Sequence, residues 1–206
     1  MTVQAVPTGG TSSVIHPAWV RITHWVNAVA IFIMIGSGWQ IYDASPLAGF
    51  RFTFPPSIAL GGWLAAAISW HLAGMWLLVI NGAVYVTLGI ATGRFRAKLF
   101  PIRAREVMRD LAAALRGSLP RDPSTYNAVQ KLFYVGVMGA GIVIVLSGLS
   151  IWKPVQLQEL TALFGGYDTA RYVHFFAMWT IVAFLIVHIV LALFVRRSLR
   201  AMILGK

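Results

Sequence analysis

Four apolar stretches, each long enough to cross a bilayer, leave this chain little choice of architecture. About 20 consecutive apolar residues carry a helix across the hydrocarbon core. Runs of at least that length lie at about residues 17–42, 58–93, 126–152 and 171–195. In lipid each backbone N–H and C=O must be satisfied inside the protein, so each run has to be an α-helix. The expected fold is therefore an all-α membrane protein, a four-transmembrane-helix bundle forming a single domain over residues 1–206. With 58% hydrophobic and 11% charged residues, the chain falls far from the soluble profile of about 25% charged.

Charge placement orients the bundle. Of the 17 Lys and Arg residues, eight lie between Arg94 and Arg121 and four between Arg196 and Lys206. Basic flanks remain on the cytoplasmic side, so both termini and the connection between spans 2 and 3 are expected there. The connections from Asp43 to Ser57 and from Lys153 to Ala170 are poor in bases and read as outer loops. Within the basic connection, Ile102 to Leu115 reads as an amphipathic surface helix. Ile102, Val107, Leu111 and Leu115 form its apolar stripes, and its arginines lie among anionic membrane lipid headgroups. The net charge of +11 does not point to nucleic acid, because the basic cluster offers only Phe95 and Phe100 for stacking. Residues 1–13, polar and without a basic n-region, read as a short flexible tail. The second run exceeds the length of one span, and its Gly61-Gly62 pair marks a candidate break.

Chemistry enters with histidine. Four of the five histidines, His24, His71, His174 and His188, stand inside or at the edge of apolar runs, where ionisable side chains are costly and usually functional. The fourteen residues from His174 to His188 carry the chain about 21 Å along a helix and return it to within roughly 40° of the same face. With the topology above, His24 and His188 lie near the basic side, and His71 and His174 near the outer side. Two pairs at two heights suit six-coordinate haem iron, with His24 and His188 as axial ligands of an inner haem and His71 and His174 of an outer one. Structural hydrogen bonding and proton relay are the competing readings. Zinc would need three or four ligands at one point, and the chain has no cysteine to supply them or to bind an iron-sulfur cluster. Its six carboxylates all lie outside the apolar cores, which argues against carboxylate-bridged di-iron sites. His16, just before Pro17, is expected at the interface.

Two further features bear on a cofactor. Gly38 follows His24 at the same fourteen-residue offset, so it leaves a gap in span 1 at the outer height; clearance for a porphyrin edge and ordinary helix packing both explain it. The Arg-x-x-His frame recurs at Arg21-His24 and Arg171-His174, which puts each arginine on its histidine's face. Arg21 and Arg171 could pair with haem propionates or anchor the helices at the interface. The glycines of span 3, Gly136, Gly139, Gly141 and Gly148, read as packing positions.

These residues carry a family resemblance over nearly the whole chain: HPAWVRITHW in span 1, WHLAGMW around His71, TYNAVQKLFY opening span 3, and RYVHFFAMW through VHIVLALF in span 4. They resemble the cytochrome b subunits of membrane-bound bacterial oxidoreductases, a group with the b-type subunits of nickel-iron hydrogenases, formate dehydrogenase and thiosulfate reductase-like enzymes, within the bacterial cytochrome b561 class. TYNAVQKL is most similar to the thiosulfate reductase-like branch. The resemblance implies two haem b groups on the four histidines and a periplasmic redox subunit of molybdenum, nickel-iron or iron-sulfur type at the outer face. It also implies quinone exchange near the inner haem, where Tyr126, Asn127, Gln130 and Lys131 offer polar contacts to a quinone carbonyl or a propionate; helix capping explains the same residues. The expected function is transmembrane electron transfer between the quinone pool and that partner. Its rivals are a free-standing quinone-linked oxidoreductase acting on a small molecule such as superoxide, and a haemless assembly or proton-conducting subunit.

Overall fold

A computed structural model describes residues 15–49, 53, 55, 59–118 and 126–205. The tail, Arg51 and residues 119–125 lie outside the described residues. Among those described, the regular structure is helical: α1 (Ala18–Ala44), α2 (Leu64–Ala91), α3 (Arg94–Leu99), α4 (Ala104–Leu115), α5 (Ala128–Trp152), α6 (Gln158–Leu163), α7 (Tyr167–Phe194) and α8 (Arg196–Leu204). Four of them, α1, α2, α5 and α7, are long and apolar enough to cross a membrane.

The ends of these spans depart from the hydropathy boundaries for local reasons. Helix α2 starts at Leu64 because Gly61 and Gly62 adopt φ of 107° and 70°, a left-handed turn that glycine enters without steric penalty. Helix α7 begins at Tyr167, four residues before the apolar run. Gly165 and Gly166 turn the chain there at φ 80° and 98°, and Asp168 in the first turn complements the positive end of the helix dipole. Helix α5 starts after Asn127, whose Oδ1 accepts from Gln130 N at 2.8 Å while Gln130 Oε1 accepts from Asn127 N at 3.1 Å, a complete capping box.

The long helices pack as two pairs, α1 on α2 and α5 on α7. Small residues bring each pair together. Ala30 and Ala67 are fully buried in the first, and Ser147, Ser150 and Ala170 in the second. A Cβ at Gly74 of α2 would sit 2.9 Å from Ile33 Cγ2 of α1. Lipid cannot drive helices together hydrophobically, so such close approach and interhelical hydrogen bonds do so instead. One clasp of this kind joins α1 to α2, where Asn81 Nδ2 donates to Asn27 Oδ1 at 2.6 Å and to the Thr23 carbonyl at 2.8 Å; bonds of this type stabilise by about 0.6–2 kcal/mol. Side chains such as Phe32, Ile80, Ile142 and Leu193 are exposed, as expected of surfaces solvated by acyl chains.

Between the pairs, side chains rather than backbones meet. Trp39 packs edge-on to Trp179 at 5.6 Å and Tyr42 stacks on Phe175 at 5.2 Å, which bridges α1 to α7 at one end. The basic helices gather at the other. There α8 returns to the start of α1, with Arg21 Nη1 donating to the Ile203 carbonyl at 2.8 Å, and α4 docks on α5 through Asp110 Oδ2, which accepts from Ala128 N at 2.9 Å. That bond, with Arg109 beside it, holds the Asp110 carboxyl below its usual range. The amphipathic helix between spans 2 and 3 is α4, with Met108, Leu111 and Leu115 exposed.

Candidate functional site

Each sequence-predicted histidine pair comes together. His24 of α1 faces His188 of α7 with ring centroids 5.9 Å apart, and His71 of α2 faces His174 of α7 at 6.3 Å. An ion bonded to one nitrogen of each imidazole at about 2.0–2.1 Å, with about 1.1 Å from nitrogen to ring centre, separates the centroids by roughly 6.2–6.4 Å. One pair falls in that range and the other lies a few tenths of an ångström short of it. His71 and His174 therefore stand at the spacing of a single shared metal centre, and His24 and His188 close to it. Among the described residues no group of three or more His, Cys, Asp or Glu could hold a metal ion, so an ion needing three protein ligands does not fit. An iron whose equatorial positions are filled by a macrocycle does.

The two pairs are supported differently. His174 Nδ1 lies 3.0 Å from the Ile144 carbonyl and 3.2 Å from Ser147 Oγ of α5. His71 Nδ1 lies 3.1 Å from Ser37 Oγ of α1, whose own proton goes to the Ile33 carbonyl at 2.6 Å. A carbonyl only accepts, and a serine oxygen whose proton is already donated accepts too, so Nδ1 carries the proton in both rings and Nε2 keeps its lone pair for a metal. Each serine is followed by a glycine that lies against the ring: a Cβ at Gly38 would stand 3.0 Å from His71 Cε1, and one at Gly148 would stand 3.1 Å from His174 Cε1. At the other end, neither His24 nor His188 has a side-chain hydrogen bond among the described residues. Aromatic neighbours take that place, with Phe184 stacked on His188 at 5.5 Å and 12° and Trp25 edge-on to His24 at 5.3 Å.

The remaining predicted residues are placed as follows. Gly38 touches His71, as described. Arg21 and Arg171 hold backbone in this structure: Arg21 binds the Ile203 carbonyl, with its Nε buried and unpartnered, and Arg171 Nη2 donates to the Ser45 carbonyl at 2.6 Å. Asn127 and Gln130 use their side-chain oxygens in the capping box, and Lys131 Nζ reaches the Pro101 carbonyl at 3.4 Å. Of the span-3 glycines, only Gly148 makes a close contact; Cβ atoms at Gly136, Gly139 and Gly141 would meet nothing within 4 Å, so packing within the chain does not account for those three. His16 is buried, and Arg94 Nη2 donates to its Nδ1 at 3.1 Å. Burial first, then Arg94 and Lys98, push the His16 imidazole down to about 4.

Ser37 and Ser147 are the residues sequence reasoning did not single out. The available signal was a repeated Ser-Gly dipeptide in spans 1 and 3, the two spans that carry no histidine at the outer height.

Known proteins extend this geometry. The chain is 50% identical over 192 residues, 93% of this chain and 96% of the relative, to the putative protein-methionine-sulfoxide reductase subunit YedZ1 of Azospira oryzae. It is 24% identical over 191 residues, 90% of this chain and 80% of the relative, to the cytochrome b556(Fdn) subunit of the nitrate-inducible formate dehydrogenase of Escherichia coli K12. A third relative is the probable Ni/Fe-hydrogenase B-type cytochrome subunit of Cupriavidus necator, 25% identical over 198 residues, 87% of this chain and 78% of the relative. The model of prokaryotic cytochrome b561 matches residues 15–205, and with four membrane-length helices and two facing histidine pairs the chain belongs to that family of multi-pass membrane cytochromes b.

Proposed function

We propose that this protein conducts electrons across the bacterial cytoplasmic membrane through two b-type haems, between the quinone pool and a redox-active catalytic subunit. The observation that carries this reading is the pair of histidine pairs, one at the ring separation of a shared iron and the other close to it, set about 21 Å apart along α7. Haem bound there supplies a one-electron centre whose potential follows its axial ligands and its surroundings. The chain's own contribution is to hold His24 against His188 and His71 against His174, and to present apolar helix faces that keep water from both.

The basic end, with α3, α4 and α8, is assigned to the cytoplasmic face because positive flanks are retained there. Quinone exchange is assigned to the same end, near His24 and His188, where Tyr126, Lys131 and the amide groups of Asn127 and Gln130 open α5. The opposite end then meets the partner. The relative at 50% identity is named as a subunit of a putative protein-methionine-sulfoxide reductase, which favours a catalytic subunit of that kind over a hydrogenase or formate dehydrogenase. Methionine sulfoxide returns to thioether plus water by taking up two electrons and two protons, so electrons would run from quinol toward that subunit.

Pyridine haemochrome quantitation of the purified protein tests the core of the proposal. Two haem b per chain are expected, falling to one in His71→Ala and to one in His24→Ala. A protein without haem, or with a single haem that His24→Ala leaves intact, would refute it.

A further inference from the structure

The histidine pair remote from the basic end sits in a repeated device that the other pair lacks. Ser37 and Ser147 are fully buried, yet each spends its proton on its own helix: Ser37 Oγ donates to the Ile33 carbonyl at 2.6 Å, and Ser147 Oγ donates to the Val143 carbonyl at 2.7 Å. With the proton so committed, each Oγ turns a lone pair toward the Nδ1–H of the neighbouring imidazole, His71 at 3.1 Å and His174 at 3.2 Å. For His174 the Ile144 carbonyl, three residues before the serine, adds a second acceptor at 3.0 Å. Gly38 and Gly148 then bound the ring edge so closely that a Cβ would force it to move. The same three parts, a donating serine, a glycine floor and an Nδ1–H imidazole, occur once in α1/α2 and once in α5/α7. Chance packing would not be expected to repeat all three.

An Nδ1–H that donates to a fixed acceptor pushes electron density toward Nε2 and raises the basicity of the ligand. A more basic axial ligand favours the oxidised metal. We propose that Ser37 and Ser147 are positioning residues that fix His71 and His174 as Nδ1–H tautomers, and that they thereby hold the haem between those rings at a lower reduction potential than the haem at His24 and His188. In the half-reduced protein the electron then resides at the basic end. The inference rests on the two-haem reading above and adds an asymmetry to it.

Equilibrium redox titration of the purified holoprotein, followed in the haem absorption bands, tests this with Ser37→Ala, Ser147→Ala and the double variant. Wild type should titrate as two components. In the alanine variants the lower one should move upward, most in the double variant, while the upper one stays in place. Ser37→Thr and Ser147→Thr keep a hydroxyl that can bond the i−4 carbonyl and should restore the wild-type value. Loss of one haem in the alanine variants that threonine restores would also support a positioning role. The inference is overturned if both components stay where they are, if both move together, if the upper one alone moves, or if lost haem is not restored by threonine. Two haems in wild type together with any of those outcomes sinks this inference alone; fewer than two haems in wild type sinks the reading beneath it.

Discussion

At one end of the bundle, His71 and His174 are gripped from behind by serine hydroxyls, and His174 by a main-chain carbonyl as well, with a glycine under each ring. At the other, His24 and His188 have only aromatic neighbours, and no glycine among the described residues would place a Cβ against either ring. The first arrangement leaves each imidazole one tautomer and little freedom to rotate. The second leaves orientation to packing against Phe184 and Trp25. Their surroundings differ as well. The gripped pair lies beside the Trp39, Tyr42, Phe175 and Trp179 cluster, whereas the other lies toward the end that carries His16, Arg21, Arg94 and Lys98. One pair is thus held by hydrogen bonds and the other by packing.

The largest way to break this difference is to fill the glycine floors. Gly38→Leu or Gly148→Leu sets a branched side chain where even a Cβ would lie 3.0 or 3.1 Å from the imidazole. Overpacking of this kind costs about 1–3 kcal/mol when neighbours can adjust, and here the neighbour is a ring fixed by hydrogen bonds. Each variant should keep the haem at His24 and His188 and lose the other, so that pyridine haemochrome reads one haem per chain. Full retention of both haems would show that the floor does not constrain the ring.

The pairing of these histidines was legible in the sequence because it needed only helical rise and the distribution of basic residues. His24 and His188 share a height for the same reason that arginines flank both. The cradle was not legible in that way: a serine in an apolar helix ordinarily bonds its own i−4 carbonyl, and whether its lone pair also meets a histidine depends on the rotation of one helix against another. The partner of Arg21 was hidden for a related reason. The Ile203 carbonyl lies 182 residues away, and no local pattern announces that α8 folds back onto the start of α1. The early start of α7 was concealed because Tyr167, Asp168 and Thr169 belong to the helix but not to its apolar run.

A smaller effect is expected at the loosely held pair. Phe184 stacks on His188 at 12° between ring planes, a contact worth about 0.5–1.5 kcal/mol beyond area burial. Phe184→Ala should therefore weaken retention of one haem several-fold without emptying the site. Timed transfer to excess apomyoglobin would resolve this as one fast and one unchanged phase. Acceleration of both phases would mean that Phe184 steadies the whole bundle rather than His188.

The smallest effect concerns acid. His16 accepts from Arg94 through Nδ1 and is held near 4 by burial and by Arg94 and Lys98, against about 6.5 in an unfolded chain. Between those values the unfolded chain binds a proton that the folded chain refuses, so stability declines as pH falls from about 6.5 toward 4 and is unaffected by this group above that window. Protonation would also turn the Nδ1 acceptor into a donor facing the guanidinium. His16→Asn keeps a carbonyl acceptor for Arg94 and removes the titration, so the thermal midpoint of the variant in detergent should fall less between pH 7 and pH 5 than that of wild type. Parallel curves would place the acid sensitivity elsewhere. If the curves do diverge, the divergence should appear in the loss of the His24 and His188 haem before the other, because His16 packs at that end.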